Sequence, residues 1–256
     1  MEQFEDYSND EFCQQLQTII SMLLVDVKCV PGESRRAILL GGQSGAGKTT
    51  LHRLFQDALA GNVVVINGDE YRPRHPRFQQ ISAQYGIDAP AHTAAWAGRM
   101  VEAVVDALSV MGYNLVIEGT LRTSEVPLKT AELLRSRGYN VSLALMAVKP
   151  EISLVSCQLR YEQMRIAGTE PRAVDPAHHL SIVEGIVSNL ETLEDSGMFD
   201  SISLYARNEQ RLFFSVGSDR RASEALQDIL FGSWTAEESL HYAYLEQRLS
   251  EAREVN

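Results

Sequence analysis

Phe12, Leu16, Ile19, Ile20, Leu23 and Leu24 recur at helical spacing near the start of the chain. Ser8 and Glu11 precede them in the pattern of a capping box, so an amphipathic helix is predicted over residues 9–25. Residues 30–35 carry Pro31 and Gly32 and form a short linker. Apolar runs at 37–40, 63–66, 113–117 and 141–148 are too short for helices and read as strands, that at 63–66 being β-branched and typical of burial on both faces. Between them the apolar spacing turns helical: from Lys48 onward, over 93–111 with a stop at Gly112, and over 127–137 with a stop at Gly138. Pro73, Pro76 and Pro90 interrupt residues 71–90, which are expected to form an irregular connection with room for one short helix. Helices are predicted over 150–167 and 177–195, then two strands over 200–206 and 211–216 paired as a hairpin around Asn208-Glu209, then helices over 221–231 and 235–252.

Strands alternating with helices of this length imply parallel βαβ units. The expected fold is an α/β, P-loop NTPase-like architecture of the kinase type, a mainly parallel sheet with helices on both faces. No internal repeat breaks the pattern, so one domain is expected over 1–256: an N-terminal helix and linker (1–34), a core (35–218) with a lid near 160–175, and C-terminal helices (219–256). In such sheets ligands bind beyond the carboxyl ends of the strands, which directs attention to the polar residues that follow each strand.

The composition narrows the partners. A chain of 256 residues with 45% hydrophobic and 22% charged residues is that of an ordinary folded protein. Its net charge of -11 gives no overall pull toward nucleic acid or an anionic membrane, so an anionic ligand must meet a local cluster of basic groups. Cys13, Cys29 and Cys157 are far apart with no C-x-x-C, which argues against a disulfide frame or a zinc site and for a reducing compartment. No apolar run reaches the roughly 20 residues of a membrane span, and the acidic start Met1 to Asp6 is the reverse of a secretory signal. A cytoplasmic protein is expected, with neither nucleic acid nor membrane as partner.

The strand at 37–40 runs into Gly41-Gly42-Gln43-Ser44-Gly45-Ala46-Gly47-Lys48-Thr49-Thr50, which fits G-x-x-x-x-G-K-[ST] from Gly42 to Thr49. Glycines there let backbone N–H groups turn around an anion, the following helix points its positive end at the same place, and Lys48 adds a mobile charge. The Thr49 hydroxyl suits a magnesium ion. A glycine-rich turn could match by chance, but this one has the strand before it and the helix after it that the motif requires. Binding of a nucleoside triphosphate is the expectation.

Strand two delivers Asp69 and strand three delivers Glu118, Thr120 and Arg122 to the rim that carries Lys48. Asp69 has three readings: a turn or cap residue, a magnesium-holding carboxylate beside Glu70 as in water-activating ATPases, or a base for a bound hydroxyl. Asn67-Gly68 separates the acid from the apolar run, which suits the base best. Arg160, Arg165 and Arg172 stand out in an acidic chain, and Arg172 follows the Gly168-Thr169-Glu170-Pro171 loop, a candidate lid. Arginines so placed can neutralise a phosphoryl group in transfer, but spacing alone favours solvated surface residues. His52, His75, His92, His178, His179 and His241 show no metal-ligand spacing and receive no chemistry, and Trp96 with Met100 reads as core.

Several further stretches resemble the zeta toxins of bacterial toxin–antitoxin systems, in their PezT-like branch. They are Asn67-Gly68-Asp69 with Arg74-His75-Pro76, Gly98 to Glu102, Gly112 to Thr123, Arg160-Tyr161-Glu162 and Arg172-Ala173, and with the phosphate loop they extend the resemblance from about Tyr7 to the last helix. The resemblance implies an ATP-dependent kinase, with Mg2+ as cofactor, that phosphorylates the amino-sugar 3-hydroxyl of UDP-N-acetylglucosamine and starves cell-wall synthesis. It also implies a cognate antitoxin protein acting in trans. By position, Asp69 matches the catalytic base, and Lys48 and Thr49 the phosphate and magnesium ligands. Glu102, Glu118, Thr120, Arg122 and Thr130 match the sugar-nucleotide site, and Arg160 and Arg172 the clamp on the transferred phosphate. The resemblance thus reverses the surface reading of the two arginines.

Two other functions remain to be weighed. A kinase of similar fold acting on a drug or metabolite hydroxyl would share the loop, base and lid, and only the residues from Glu102 to Thr130 speak against it. A nucleotide-driven switch is disfavoured because no N-K-x-D signature and no second ATPase motif are present.

Overall fold

The capping box at the amino end is formed: the Glu11 amide donates to Ser8 Oγ at 3.2 Å and the Ser8 amide to Glu11 Oε2 at 2.7 Å, starting α1 (Asn9–Leu23). The computed structural model describes residues 4–25, 27, 34–169 and 173–255. Most of the expected linker, Cys29 and Arg172 lie outside the described residues. The elements then follow as β1 (Arg36–Gly41), α2 (Thr49–Ala58), β2 (Val64–Ile66), α3 (Gly68–Tyr71), α4 (Phe78–Tyr85), α5 (Ala89–His92), α6 (Ala94–Met111), β3 (Leu115–Glu118), α7 (Glu125–Ser136) and β4 (Asn140–Met146). The chain closes with α8 (Pro150–Ile166), α9 (Pro176–Asp195), β5 (Ser201–Tyr205), β6 (Arg211–Phe214), α10 (Ala222–Phe231) and α11 (Ala236–Glu254).

The strands form one six-stranded sheet in the order β2-β3-β1-β4-β5-β6. β2 pairs in parallel with β3 and β4 with β5, and the hairpin expected around Asn208 adds β6 antiparallel to β5. The strands entered from apolar runs are largely buried, as is β5, whereas β6 is largely exposed. Residues 71–90 depart from the expected irregular connection. Pro73 and Pro90 stand in the first turns of helical segments, where a missing N–H is no loss, so the prolines start turns that they were expected to interrupt. No helix among the described residues is long and apolar enough to cross a membrane.

The chain divides into two compact units. One comprises Met1–Ala37 and Phe55–Glu118, the other Ile38–Leu54 and Gly119–Asn256. In the first, α6 presents Trp96, Met100, Val104, Val105 and Leu108 to the interior, and Gly112 ends it in the left-handed conformation. Trp96 and Met100 are fully buried as core, each contributing roughly 2–3 kcal/mol through burial. Tyr7, Phe12 and His75 pack edge-on or near edge-on against Trp96, and the Arg99 guanidinium lies 4.0 Å from the Phe12 ring centre, so α1 is fastened to α6 by aromatic and cation–π contacts. In the second unit α11 packs on α8 and α10 on α9.

Candidate functional site

β1 brings five consecutive buried residues to the turn, and the loop after it is held from several sides in the second unit. Gly42, Gly45 and Gly47 all have positive φ. At Gly45 the requirement is also steric, since a Cβ there would overlap the Ser153 carbonyl and come within 2.6 Å of Cys157 Sγ. Gln43 is fully buried and donates through Nε2 to the Val148 carbonyl at 2.8 Å and to Ser153 Oγ at 3.2 Å. Lys48 is 8% exposed and its ammonium donates to the Gly42 and Gln43 carbonyls, at 2.9 and 3.3 Å. Ser44 is half-buried, Ala46 buried, and Thr49 exposed as the first residue of α2, with Thr50 half-buried behind it. This is a concave backbone nest with a cation folded over it at a helix N-terminus, a geometry suited to phosphate.

Two residues that the sequence did not single out brace this loop. Arg207, in the turn between β5 and β6, donates to the Gly45 carbonyl and, at 2.8 Å, to Ser156 Oγ, and it lies 3.4 Å from His241 Nε2 on α11. Burial holds the Arg207 guanidinium below its ordinary pKa. His179, buried on α9, lies 2.9 Å from Ser153 Oγ and also bonds the Ser44 backbone. Burial depresses its pKa, which the Ser44 bond partly offsets, so a histidine expected to carry no chemistry supports the loop. Its neighbour His178 is exposed. No pattern marks either residue, because their partners lie on other elements.

Arg160 is exposed on α8 and has no carboxylate partner among the described residues. Burial raises the pKa of the Cys157 thiol, while Arg160, Lys48 and Arg207 pull it the other way. Three cations therefore gather on this side of α8, around a loop in an otherwise acidic chain. The segment after β3 is tied down as well. The Gly119 amide donates to the Leu40 carbonyl at 3.0 Å, and Asn189 Nδ2 donates to the Leu121 and Arg122 carbonyls, both at 2.9 Å. Leu121 adopts φ 56° with its side chain buried, a conformation costing about 1 kcal/mol that turns the chain between Thr120 and Arg122. Thr120 is half-buried, Arg122 exposed, and the Thr130 hydroxyl on α7 donates to the Val126 carbonyl at 3.0 Å.

In the first unit the register Ile66↔Ile117 brings the ends of β2 and β3 level, so Asn67 to Asp69 and Glu118 leave the sheet at one rim. Asn67 caps α3 by accepting from the Asp69 amide at 3.1 Å. Gly68 faces α6 so closely that a Cβ would stand 3.1 Å from Val101 Cγ2, which brings the turn bearing Asp69 against the part of α6 that carries Glu102. Asp69 is ion-paired with Arg72, Nε to Oδ1 at 2.8 Å. Glu102 is exposed and Glu118 half-buried. Three acidic residues picked from the sequence thus share one unit, and Lys48, Thr49, Thr120, Arg122, Thr130 and Arg160 share the other. Among the described residues no three His, Cys, Asp or Glu form a metal-holding cluster. The Thr49 hydroxyl at the start of α2 is a hard oxygen of the kind a magnesium ion takes as a ligand.

Comparison with known proteins points to one family. A family model described as zeta toxin matches residues 21–218. Toxin PezT of Streptococcus pneumoniae serotype 4 is 42% identical over 253 residues, covering 98% of this chain and 99% of the relative. Toxin zeta of Streptococcus pyogenes is 37% identical over 214 residues, 82% of this chain and 73% of the relative. A solved structure from the PezAT chromosomal toxin–antitoxin system of Streptococcus pneumoniae superposes with a TM-score of 0.90 at 42% identity, covering 98% of this chain and 100% of that chain. At 14% identity and a TM-score of 0.56, the AvrRxo1-ORF1:AvrRxo1-ORF2 complex with ATP shares the fold alone, over 96% of this chain and 89% of that chain. An identity of 42% sustained along nearly the whole sequence, with the phosphate loop inside the matched span, places the chain in the zeta toxin family.

Proposed function

We propose that the chain is an ATP-dependent kinase that phosphorylates the amino-sugar 3-hydroxyl of UDP-N-acetylglucosamine in the cytoplasm and acts as a toxin by blocking peptidoglycan synthesis. The observation that carries the kinase part is the phosphate loop, whose glycine conformations, buried Gln43 and folded Lys48 are built for an anion and supported by Arg207 and His179. Membership of the zeta toxin family supports the acceptor and the toxic role.

In this reading the loop amides and Lys48 hold the β- and γ-phosphates, and Arg160 with Arg172 neutralises the transferred group. Asp69 takes the proton from the acceptor hydroxyl as its oxygen bonds to the γ-phosphorus. The bond from that phosphorus to the bridging oxygen breaks, and ADP leaves. A magnesium ion on the Thr49 hydroxyl would offset phosphate charge. Glu102, Glu118, Thr120, Arg122 and Thr130 offer carboxylates, hydroxyls and one cation, a set matched to a polyhydroxylated ligand bearing a diphosphate.

Radiolabelled ATP with a panel of nucleotide sugars tests the acceptor. UDP-N-acetylglucosamine should be phosphorylated rapidly and free N-acetylglucosamine at least about 10³-fold more slowly, because polar groups of the site would be left unpaired without the diphosphate. Glu118→Gln and Arg122→Ala should lower turnover with ATP affinity nearly unchanged. Equal rates on sugar and nucleotide sugar would favour a kinase of another small-molecule hydroxyl.

The matched structure comes from a toxin–antitoxin system, which supports a cognate antitoxin protein as partner in trans. α1 is proposed as part of its docking surface, since it buries only Phe12 and Ile19 and leaves Met22 exposed. Co-expression with the product of a neighbouring small reading frame should give one larger species by size measurement; two independent peaks would count against it.

A further inference from the structure

We infer that Arg72 is the positioning residue of the base Asp69, an assignment that rests on reading Asp69 as the base. Asp69 sits on α3, a single helical turn, and its side chain is 55% exposed, so helix packing alone does not fix the carboxylate. Arg72 does so by holding Oδ1 through Nε at 2.8 Å. The arginine is anchored in turn. Its side chain is only 23% exposed, and its Nη1 donates to the Pro90 carbonyl at 2.5 Å and to Thr93 Oγ1 at 3.2 Å. Thr93 is fully buried and its hydroxyl donates to the Ala89 carbonyl at 3.1 Å. A chain of hydrogen bonds thus runs from the start of α6, through a rigid planar fork, to one oxygen of the carboxylate.

The division of the fork is the informative part. Nε faces the acid and Nη1 faces the buried anchor, so the guanidinium acts as a spacer of fixed length and angle. An exposed ion pair adds little to stability. Its effect here is on orientation, and a base displaced by a fraction of an ångström from the hydroxyl it serves loses rate while leaving binding intact. Lysine at this position offers a single ammonium in place of the planar fork, so it cannot hold both partners at the same spacing and angle.

The test uses the full chain with ATP and its best acceptor from the sugar panel, beside Asp69→Asn. Arg72→Gln should lower kcat roughly 10- to 100-fold with both KM values within about twofold of the parent, and Arg72→Lys should recover part of the loss. A merely structural role would move thermal stability and ATP affinity together with kcat. If Asp69→Asn abolishes turnover and Arg72→Gln keeps the parental kcat, the positioning assignment falls and the base reading stands. Retention of turnover by Asp69→Asn overturns the base reading and the Arg72 assignment with it. If Arg72→Gln and Arg72→Lys both fail to fold, Arg72 is structural and the assignment is overturned.

Discussion

Lys48→Ala is expected to reduce phosphoryl transfer by at least about 10³-fold and to abolish growth arrest on expression, with the fold intact. Its ammonium is the cation folded over the phosphate nest, and no other group described in the second unit combines that position with a buried stem. The residue is more than a surface charge, because it also satisfies the Gly42 and Gln43 carbonyls. Alanine removes that donor, at about 1 kcal/mol, so a drop of a few degrees in the unfolding midpoint should accompany the loss of activity. Measured transfer and growth, read beside a thermal unfolding curve, separate the two effects. Growth arrest undiminished in this variant would rule out the kinase as the source of toxicity.

Asp69→Asn should lower turnover by about 10²- to 10⁴-fold while ATP affinity stays within a factor of two. Asparagine keeps an oxygen for Arg72, so on the proposed reading the change removes the proton acceptor while the contact with Arg72 can persist. Equilibrium ATP binding and single-turnover transfer, measured on the same preparation, check it. Lost ATP affinity with turnover preserved at saturating ATP would make Asp69 a magnesium ligand instead.

Both residues are legible in the sequence because strand ends announce them. Lys48 lies in a loop whose glycines and flanking elements form a recognisable pattern, and Asp69 follows a buried strand whose neighbour ends level with it. Trp96 and Met100 are legible as core from helical spacing alone. The support beneath the loop is not legible in this way. Arg207 meets Gly45 across 162 positions of sequence and His179 meets Ser153 across 26, and neither spacing corresponds to any local period. Arg72 differs, since Asp-x-x-Arg is an i, i+3 pair that a helical turn brings together. Pro73, Pro76 and Pro90 obscure it by making residues 71–90 look irregular, whereas Pro73 and Pro90 occupy first turns.

Gly45 occupies a position that the phosphate-loop pattern leaves unspecified, as does Gln43. In this protein both are dictated, one by the Ser153 carbonyl and Cys157 beside it, the other by a buried pair of hydrogen bonds to Val148 and Ser153. The loop is consequently not a portable module. A segment transplanted from another nucleotide-binding protein could satisfy every required letter of the motif and still be rejected here, because the variable letters are where the loop is keyed to α8 of its own host.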